Sequence, residues 1–400
     1  MIRKVILMKK NIYLSEPSLI CCAGKSADEL YKACLSGERS GFVMREAGKK
    51  MYPVGEIKNE LEDVNIKDFG IPVYADKTRI IKIINAALCQ MENLIEKIIL
   101  KYGKEKIGVC LGSCDNGSEA SLIGHHAFLK QGTFPGDYSL RYQSASFLAE
   151  FIAKKFNLGG PVFTVATACA SGATAIMRGA ELIRSGLCSA VIAGGADIVS
   201  QTVLSGFTAL EAVSDELTNP FSKNRKGINL GEGAAFFILD TDEISPVELL
   251  GAGESSDAYH MTAPGIDGEG PLRAMKAALS DAGLDSEKIG YINLHGTGTE
   301  LNDKAEALAL KKAFSKQVPA SSTKPVTGHT LGAAGALEAA ICWMLIKEKK
   351  GLPVHLWDGV CDEEAPFLPA TAAHSSSSIC MTNSFAFGGC NVSLILGSNK

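Results

Sequence analysis

The sequence lacks a strong charge of either sign, a long apolar run and a paired-cysteine metal motif. Its 40 basic and 44 acidic residues give a formal net charge of −4, which offers no electrostatic footprint for DNA or RNA. No stretch approaches the roughly 20 apolar residues that cross a bilayer, and the basic N-terminus has no signal-peptide pattern. These absences exclude nucleic-acid binding and a membrane span, and they predict a cytoplasmic protein.

Cysteine is abundant, but its spacing does not indicate a metal site. None of the 12 cysteines forms a CxxC pair, and the spacings of Cys21–Cys22 and Cys110–Cys114 are not those of a zinc knuckle. His125 and His126 also lack a carboxylate or cysteine at ligand spacing. We therefore predict reduced cysteines that are mostly in the core, and no metal site.

The stretch from Phe163 to Asp197 predicts a strand, an abrupt turn, a helix and a second strand. The β-rich run FTVAT ends at small residues around Cys169, and a helical period follows. At a helix N-terminus the dipole and the unpaired N–H groups lower a thiol pKa, and small neighbours admit a substrate carbonyl. Cys169 is therefore a candidate nucleophile, and the alternative is a buried small apolar residue.

Strands and helices alternate along the whole chain, and the second half repeats the pattern of the first. A helix over 271–284, a strand over 288–299 and a helix over 304–314 precede a loop that enters a long apolar helix within 321–348. In the first half, Thr78 to Leu100 predicts one amphipathic helix. A chain of 400 residues with this alternation predicts two halves and stacked α/β layers.

Two histidines stand in glycine-rich segments of the second half. His295 ends an apolar strand in HGTGTELND, where α/β folds bind ligands. If the extended conformation persists, Thr297 and Thr299 lie on the same face as His295. His329 lies in TGHTLGAAG, just before the long apolar helix.

Further groups could support these histidines. Lys324 precedes His329, and Glu338 on the following helix could hold its ammonium group. The last turn, NSFAFGG, could supply a backbone N–H to an oxyanion hole, and its Phe385 and Phe387 are otherwise ordinary core aromatics. A cysteine hydrolase needs one histidine as base. A cysteine with two histidines also suits acyl transfer to sulfur followed by enolate stabilisation, and both chemistries stay open here.

Six motifs, in this order, resemble the β-ketoacyl-acyl-carrier-protein synthases, the condensing enzymes of fatty acid and polyketide assembly: TACASG, GGAD, GEGAA, HGTGTELND, KPVTGHTLGAAG and NSFAFGG. The resemblance spans almost the whole chain. It implies a thiolase-like, five-layer αβαβα fold of the α/β class with two pseudo-symmetric halves. Residues 1–243 would hold the nucleophile, and residues 244–400 would hold the two histidines.

The same resemblance implies a role for each site residue. Cys169 would take the acyl chain, and His295 and His329 together would steady the malonyl thioester oxygen during decarboxylation. Lys324 would be the fourth catalytic residue, holding His329 and the local charge, and the supporting residues would be Glu338, Asp303 and Glu306. The substrate-binding residues would be Thr297 and Thr299 along the phosphopantetheine arm and Phe385 and Phe387 at the acyl pocket. The chemistry needs no metal or organic cofactor, although Asn293, Glu338 and Asn383 match positions that hold a structural monovalent cation in some members.

The implied partners are acyl and malonyl forms of an acyl carrier protein, with a homodimer expected and a heterodimer possible. Complementarity to an acidic carrier favours the basic cluster Lys77, Arg79 and Lys82 as its contact. The family's arginine and aspartate of the RPF-D segment are Asn219 and Ser222 here, which favours a dedicated polyketide or polyene synthase as much as primary fatty acid elongation. The alternatives are a non-catalytic partner subunit and a Cys-His thioester hydrolase.

Overall fold

The computed structural model describes residues 10–69, 78–115, 117–136, 138–242 and 245–398. Its α-helices are α1 (Ala27–Ser36), α2 (Arg79–Cys89), α3 (Glu92–Tyr102), α4 (Ser118–Gln131), α5 (Ser146–Lys155), α6 (Ser171–Arg184), α7 (Gln201–Ala209), α8 (Glu269–Ala282), α9 (Glu300–Ala313), α10 (Lys324–Thr327) and α11 (Ala334–Glu348). Its β-strands are β1 (Tyr13–Leu14), β2 (Ser18–Cys21), β3 (Phe42–Ala47), β4 (Lys50–Gly55), β5 (Ile107–Gly112), β6 (Val162–Val165), β7 (Ala190–Asp197), β8 (Gly233–Asp240), β9 (Val247–Ser256), β10 (Tyr291–Asn293), β11 (Pro319–Ser321), β12 (Leu368–Pro369), β13 (Ile379–Phe385) and β14 (Cys390–Ser398).

The main sheet consists of two half-sheets with the same pairing pattern. In the first, β5 pairs in parallel with β6 and β7, and β8 runs antiparallel to β7. In the second, β10 pairs in parallel with β11 and β13, and β14 runs antiparallel to β13. Strand β1 joins them because it pairs with both β8 and β9.

Helices cover both outer faces and fill the space between the half-sheets. Helices α2 and α5 pack on the first half-sheet, and α8 packs on β9 and β14 of the second. Between them, α6 and α11 contact each other and strands of both half-sheets. The predicted α/β fold, with five layers and two pseudo-symmetric halves, is confirmed. The division into 1–243 and 244–400 stays a prediction, and residues 243 and 244 lie outside the described ranges.

The central helix α11 is apolar on all sides, as expected for a helix enclosed by protein. Its residues from Ala334 to Ile346 are all buried, and the Trp343 indole N–H donates to the carbonyl of Leu14 over 3.0 Å. Glycine lets α6 and α11 approach closely, since a Cβ on Gly335 would lie 2.8 Å from the Cβ of Ala173. Of the helices in the described ranges, none is both long and apolar enough to cross a membrane.

The prediction of a single helix from Thr78 to Leu100 is wrong. The structure has α2 and α3 there, separated at Gln90 and Met91. The Gln90 amide group reaches the backbone of Leu19, accepting from its N–H over 3.3 Å and donating to its carbonyl over 2.8 Å, and it also donates to the Ala86 carbonyl of α2 over 3.3 Å. This contact over a long sequence distance ends α2, and local periodicity does not register it.

Candidate active site

Cys169 lies in a tight turn between β6 and the start of α6, as predicted. The turn Ala168–Ala170 is a single 3-10 turn, and Ala168 has a φ of +48°, a left-handed conformation that costs energy for a residue with a Cβ. Ser171 closes the turn, because its Oγ accepts from Thr167 N over 2.9 Å and donates to the Ala168 carbonyl over 2.6 Å. The strained turn presents the Cys169 thiol to an internal cavity of about 390 Å³.

Both predicted histidines reach the same cavity from the second half of the chain. His329 Nε2 is 3.1 Å from Cys169 Sγ, a distance that allows a proton to pass between them. The rings of His295 and His329 meet edge to face, with centroids 5.4 Å apart. All three side chains are almost entirely buried. The structure therefore brings together the three residues that the sequence singled out.

Lys324 lies on α10 and forms a buried ion pair with Glu338 of α11, their side chains being 1% and 3% exposed. The ammonium group also donates to the His295 carbonyl, and it lies 3.5 Å from His295 Nδ1. The prediction that Lys324 holds His329 is wrong at the level of contacts, since its hydrogen bonds in the described part of the chain go to His295 and Glu338. The reason is that α10 follows β11, the strand paired with the His295 strand.

The segment after His295 is a turn and not the extended strand that we predicted. Gly296 and Gly298 have φ of +36° and +77°, which fold the chain so that the Thr297 and Thr299 hydroxyls lie 2.9 Å apart. Both threonines nevertheless line the cavity, as does His295.

Two buried carboxylates of α9 hold this turn. Glu306 accepts from the N–H groups of His295 and Gly296 over 2.9 and 2.8 Å. Asp303 accepts from the N–H of Gly298 over 3.2 Å and from that of Phe221 over 2.7 Å. Burial raises the pKa of Glu306 to about 7, and the N–H groups of Gly296 and His295 oppose this rise. These two carboxylates therefore hold the backbone of the turn that begins at His295.

The last loop supplies aromatic walls and one backbone donor. Phe385 meets the His295 ring at 6.2 Å, and Phe387 stacks on Phe207 of α7 at 6.1 Å. The backbone N–H groups of Phe387 and Cys169 face the thiol and favour its ionised form. Two N–H groups directed at the sulfur are the donors that an oxyanion hole requires.

Burial sets the protonation state of all three reactive groups. It raises the pKa of the Cys169 thiol to about 12, although Lys324 and the two N–H groups act in the opposite direction. It also lowers the pKa of His295 and His329 well below their ordinary value, and the Lys324 charge adds to that. The predicted lowering of the thiol pKa is therefore wrong for the resting site, because desolvation outweighs the favourable charges. The pair rests as a neutral thiol beside a neutral imidazole.

Two further cavity residues had no signal in the sequence. Phe207 lies opposite Phe387, and nothing in its helical context marks it. Arg225, with a side chain only 3% exposed, donates to the carbonyls of Thr299 and Glu300 over 3.2 and 3.1 Å. It also pairs with Asp362 at 2.6 Å, so it ties the threonine turn to a distant loop. Only the fold brings these segments together.

The three side chains that could bind a metal lie close to a positive charge. The sulfur and nitrogen atoms of Cys169, His295 and His329 lie within 4.8 Å of one another, yet the Lys324 ammonium beside His295 would repel a metal ion. The buried Asn293 Oδ1 and Glu338 Oε2 have no hydrogen-bond partner in the described part of the chain, and the implied monovalent cation stays a prediction. The Asn383 side chain is instead occupied by Ser393 and Glu306.

The described members of the basic cluster that we predict to contact the carrier form ion pairs with acidic residues of this chain. Arg79 pairs with the buried Glu232, and Lys82 pairs with Asp63 at 2.5 Å. Lys77 lies outside the described residues. These ion pairs offset part of the positive charge of Arg79 and Lys82, and their contact with a carrier stays a prediction.

A cysteine at a strand-to-helix turn, two buried histidines and a buried lysine, set between two similar α/β halves, define a thiolase-fold condensing enzyme. The chain matches the family descriptions "Beta-ketoacyl synthase, N-terminal domain" over residues 57–244 and "Beta-ketoacyl synthase, C-terminal domain" over residues 247–355. It belongs to the β-ketoacyl synthase family.

Known relatives cover nearly the whole chain. The 3-oxoacyl-[acyl-carrier-protein] synthase 2 of Vibrio cholerae is 32% identical, over 97% of this chain and 99% of the relative. A chain in the solved complex of the ketosynthase ApeO with its chain length factor ApeC, from Xenorhabdus doucetiae, is 36% identical, with a TM-score of 0.89 over 97% and 98% of the two chains. The ishigamide ketosynthase/chain length factor gives 28% identity and a TM-score of 0.87 over 98% and 100%. The predictions of fold, family and an acyl-condensing transferase are confirmed.

Proposed function

We propose that this ketosynthase joins an acyl group, held on Cys169, to a malonyl group delivered by an acyl carrier protein. The contact of 3.1 Å between Cys169 Sγ and His329 Nε2 carries this proposal, because it couples the one thiol in the cavity to a base. The neutral state of both groups then requires that the proton leaves the sulfur only as the acyl group arrives.

In the first step the Cys169 sulfur attacks the acyl thioester carbonyl of the carrier. A carbon–sulfur bond forms while the thiol proton moves to His329, and the N–H groups of Cys169 and Phe387 stabilise the oxyanion. The carbon–sulfur bond to the carrier then breaks, and the carrier thiolate takes up the proton. The acyl group is now on Cys169 and the free carrier departs.

In the second step a malonyl thioester occupies the same cavity, with its pantetheine arm passing the hydroxyls of Thr297 and Thr299. Neutral His295 and His329 can donate hydrogen bonds to the thioester oxygen. Loss of carbon dioxide leaves its electron pair in an enolate held by these donors. The enolate carbon attacks the acyl carbonyl, and the new carbon–carbon bond replaces the bond to sulfur. Cys169 leaves as a thiolate and takes up one proton from solvent, which restores the neutral thiol.

We also propose a dimer, either of two copies or with a chain-length-type partner. Strand β6 lies at one end of the main sheet, which leaves one of its edges open for pairing with a second chain. Leucine and phenylalanine side chains of α4 are also exposed, Leu129 being 80% exposed.

The described cysteines are all free, which supports a location in the reducing cytoplasm.

The test is incubation with an acyl-carrier protein and a malonyl-carrier protein, followed by mass spectrometry of protein and carrier. The expected result is an acyl adduct on Cys169 and a β-ketoacyl group on the carrier. No adduct would exclude both enzyme mechanisms and favour a non-catalytic partner subunit. An adduct that yields only free acid would favour a thioester hydrolase.

A further inference from the structure

Asp197, the last residue of β7 and of the GGAD motif, is fully buried and has no role in the steps above. Its two carboxylate oxygens accept five hydrogen bonds. Ser113 Oγ and Asp115 N each donate to Oδ1 over 2.9 Å, and Cys114 N donates to Oδ2 over 2.9 Å and to Oδ1 over 3.1 Å. Gly332 N also donates to Oδ2. One side chain thus joins the loop after β5 to the turn after His329.

The Gly332 peptide is enclosed so tightly that only glycine fits. A Cβ on Gly332 would lie 2.6 Å from Asp197 Oδ2 and 2.8 Å from Cys114 N. The preceding residue, Leu331, has a φ of +49°, a strained conformation that surrounding contacts must maintain. The hydrogen bond to Asp197 is one of these contacts, and it fixes the turn 331–333.

Both reactive turns rest on this anchor. The turn 331–333 contacts the turn 168–170, which contains Cys169. On the other side, a Cβ on Gly112 would come within 2.3 Å of the Ser171 backbone, so the loop after β5 abuts the start of α6. The backbone of His329 is fixed at its other end, where its N–H donates to Asn229 over 2.7 Å.

We infer that Asp197 is a positioning residue that sets the distance between Cys169 and His329. It clamps the first half of the chain, through residues 113–115, to the turn that follows the histidine of the second half. The inference rests on the proposed roles of Cys169 and His329, and it adds a residue that touches neither substrate nor sulfur. The titratable groups that face Cys169 are His295, His329, Lys324, Cys114 and Asp197 itself.

The first test is Asp197→Asn in the full chain. An asparagine keeps the shape, but its amide nitrogen cannot accept from Gly332 and Cys114, so the turn loses its anchor. The turnover number for condensation, counted per Cys169 that mass spectrometry shows to be acylated, should fall about ten- to a hundredfold, as expected for the loss of hydrogen bonds to a charged group. The KM for the malonyl carrier should not change, because Thr297 and Thr299 are untouched.

The turnover number per acylated Cys169 distinguishes a positioning role of Asp197 from a role in folding alone. A purely structural role would reduce the number of acylated sites and leave the turnover of each one at the wild-type value, which would overturn the inference.

Gly332→Ala disrupts the same hydrogen bond at its donor residue, so it remains informative if Asp197→Asn does not fold. Its methyl group should displace the carboxylate and give the same loss per acylated site. The matched control is Gly136→Ala, because a Cβ there would have no neighbour within 4 Å. If wild-type Cys169 is not acylated, the proposed function fails; if it is acylated and both variants turn over like wild type, only the role of Asp197 fails.

Discussion

Alkylation of Cys169 by iodoacetamide should be slow at neutral pH and should accelerate with rising pH over the whole range in which the protein stays folded. Burial raises the pKa of this thiol to about 12, so at about pH 7.5 roughly one thiol in 30,000 is ionised. An ordinary cysteine with a pKa of about 8.5 is ionised in roughly one case in ten under the same conditions.

Two effects then compete, and the first is larger. The thiolate fraction is about 3,000-fold smaller than that of an ordinary cysteine. A more basic thiolate is also a better nucleophile, by about 40-fold for this difference in pKa. The alkylation rate of Cys169 should therefore be about a hundredfold lower than that of an ordinary cysteine, and it should rise nearly tenfold per pH unit.

The assay is peptide-resolved mass spectrometry after timed exposure to the reagent, with the exposed Cys361 as an internal reference. Lys324→Met should slow the reaction further, because the ammonium group is the largest contribution that favours the Cys169 thiolate. A rate for Cys169 that equals that of Cys361, or one that reaches a plateau below about pH 9, would refute the reasoning. Either result would show a resting thiolate–imidazolium pair.

Three further predictions concern the chemistry, the buried ion pair and the assembly. Cys169→Gln should abolish condensation and preserve or raise malonyl decarboxylation, measured as released carbon dioxide, because both histidines remain; loss of both activities would contradict the division of roles. Glu338→Gln should lower the free energy of unfolding by about 3–5 kcal/mol in a denaturant titration, because it leaves the Lys324 charge buried and unpaired. The control Glu364→Gln, in which Glu364 is 69% exposed and pairs with a half-buried Lys304, should change it little, and equal effects would refute the argument. Thr164→Pro should convert the dimer to a monomer in light scattering, since it removes an N–H from the open edge of β6, and Thr164→Ala should remain dimeric; a dimeric proline variant would exclude that edge.

The sequence is sufficient for features that depend on local pattern. The small residues around Cys169 predict the turn, and the apolar residues after Ala334 predict a buried helix, because both signals lie within one segment. The glycines around His295 and His329 also indicate where the backbone makes sharp turns. Cys169, His295 and His329 could therefore be named as candidates from local pattern, whereas their roles rest on the family resemblance.

The features that could not be predicted from the sequence depend on contacts between segments that are distant along the chain. The break at Gln90 requires the backbone of Leu19, and the contact of Lys324 with His295 requires the pairing of β10 with β11. The direction of the Cys169 pKa shift likewise depends on how completely the two halves exclude water. These properties belong to the packed structure, so periodicity and motif spacing do not report them.

The duplicated fold explains why the site is divided between the two halves. Strand β6 leads into α6 and the Cys169 turn, and β11 occupies the equivalent position before the turn that holds His329. The nucleophile and its base therefore stand at corresponding places in the two halves, and they meet only if the central helices approach closely. A Cβ on Gly172 would lie 2.7 Å from the Gly332 carbonyl, so the small residues after each turn allow this approach. The glycines of TACASG and GHTLGAAG thus serve the chemistry indirectly, because they permit the Cys169–His329 contact that Asp197 then fixes.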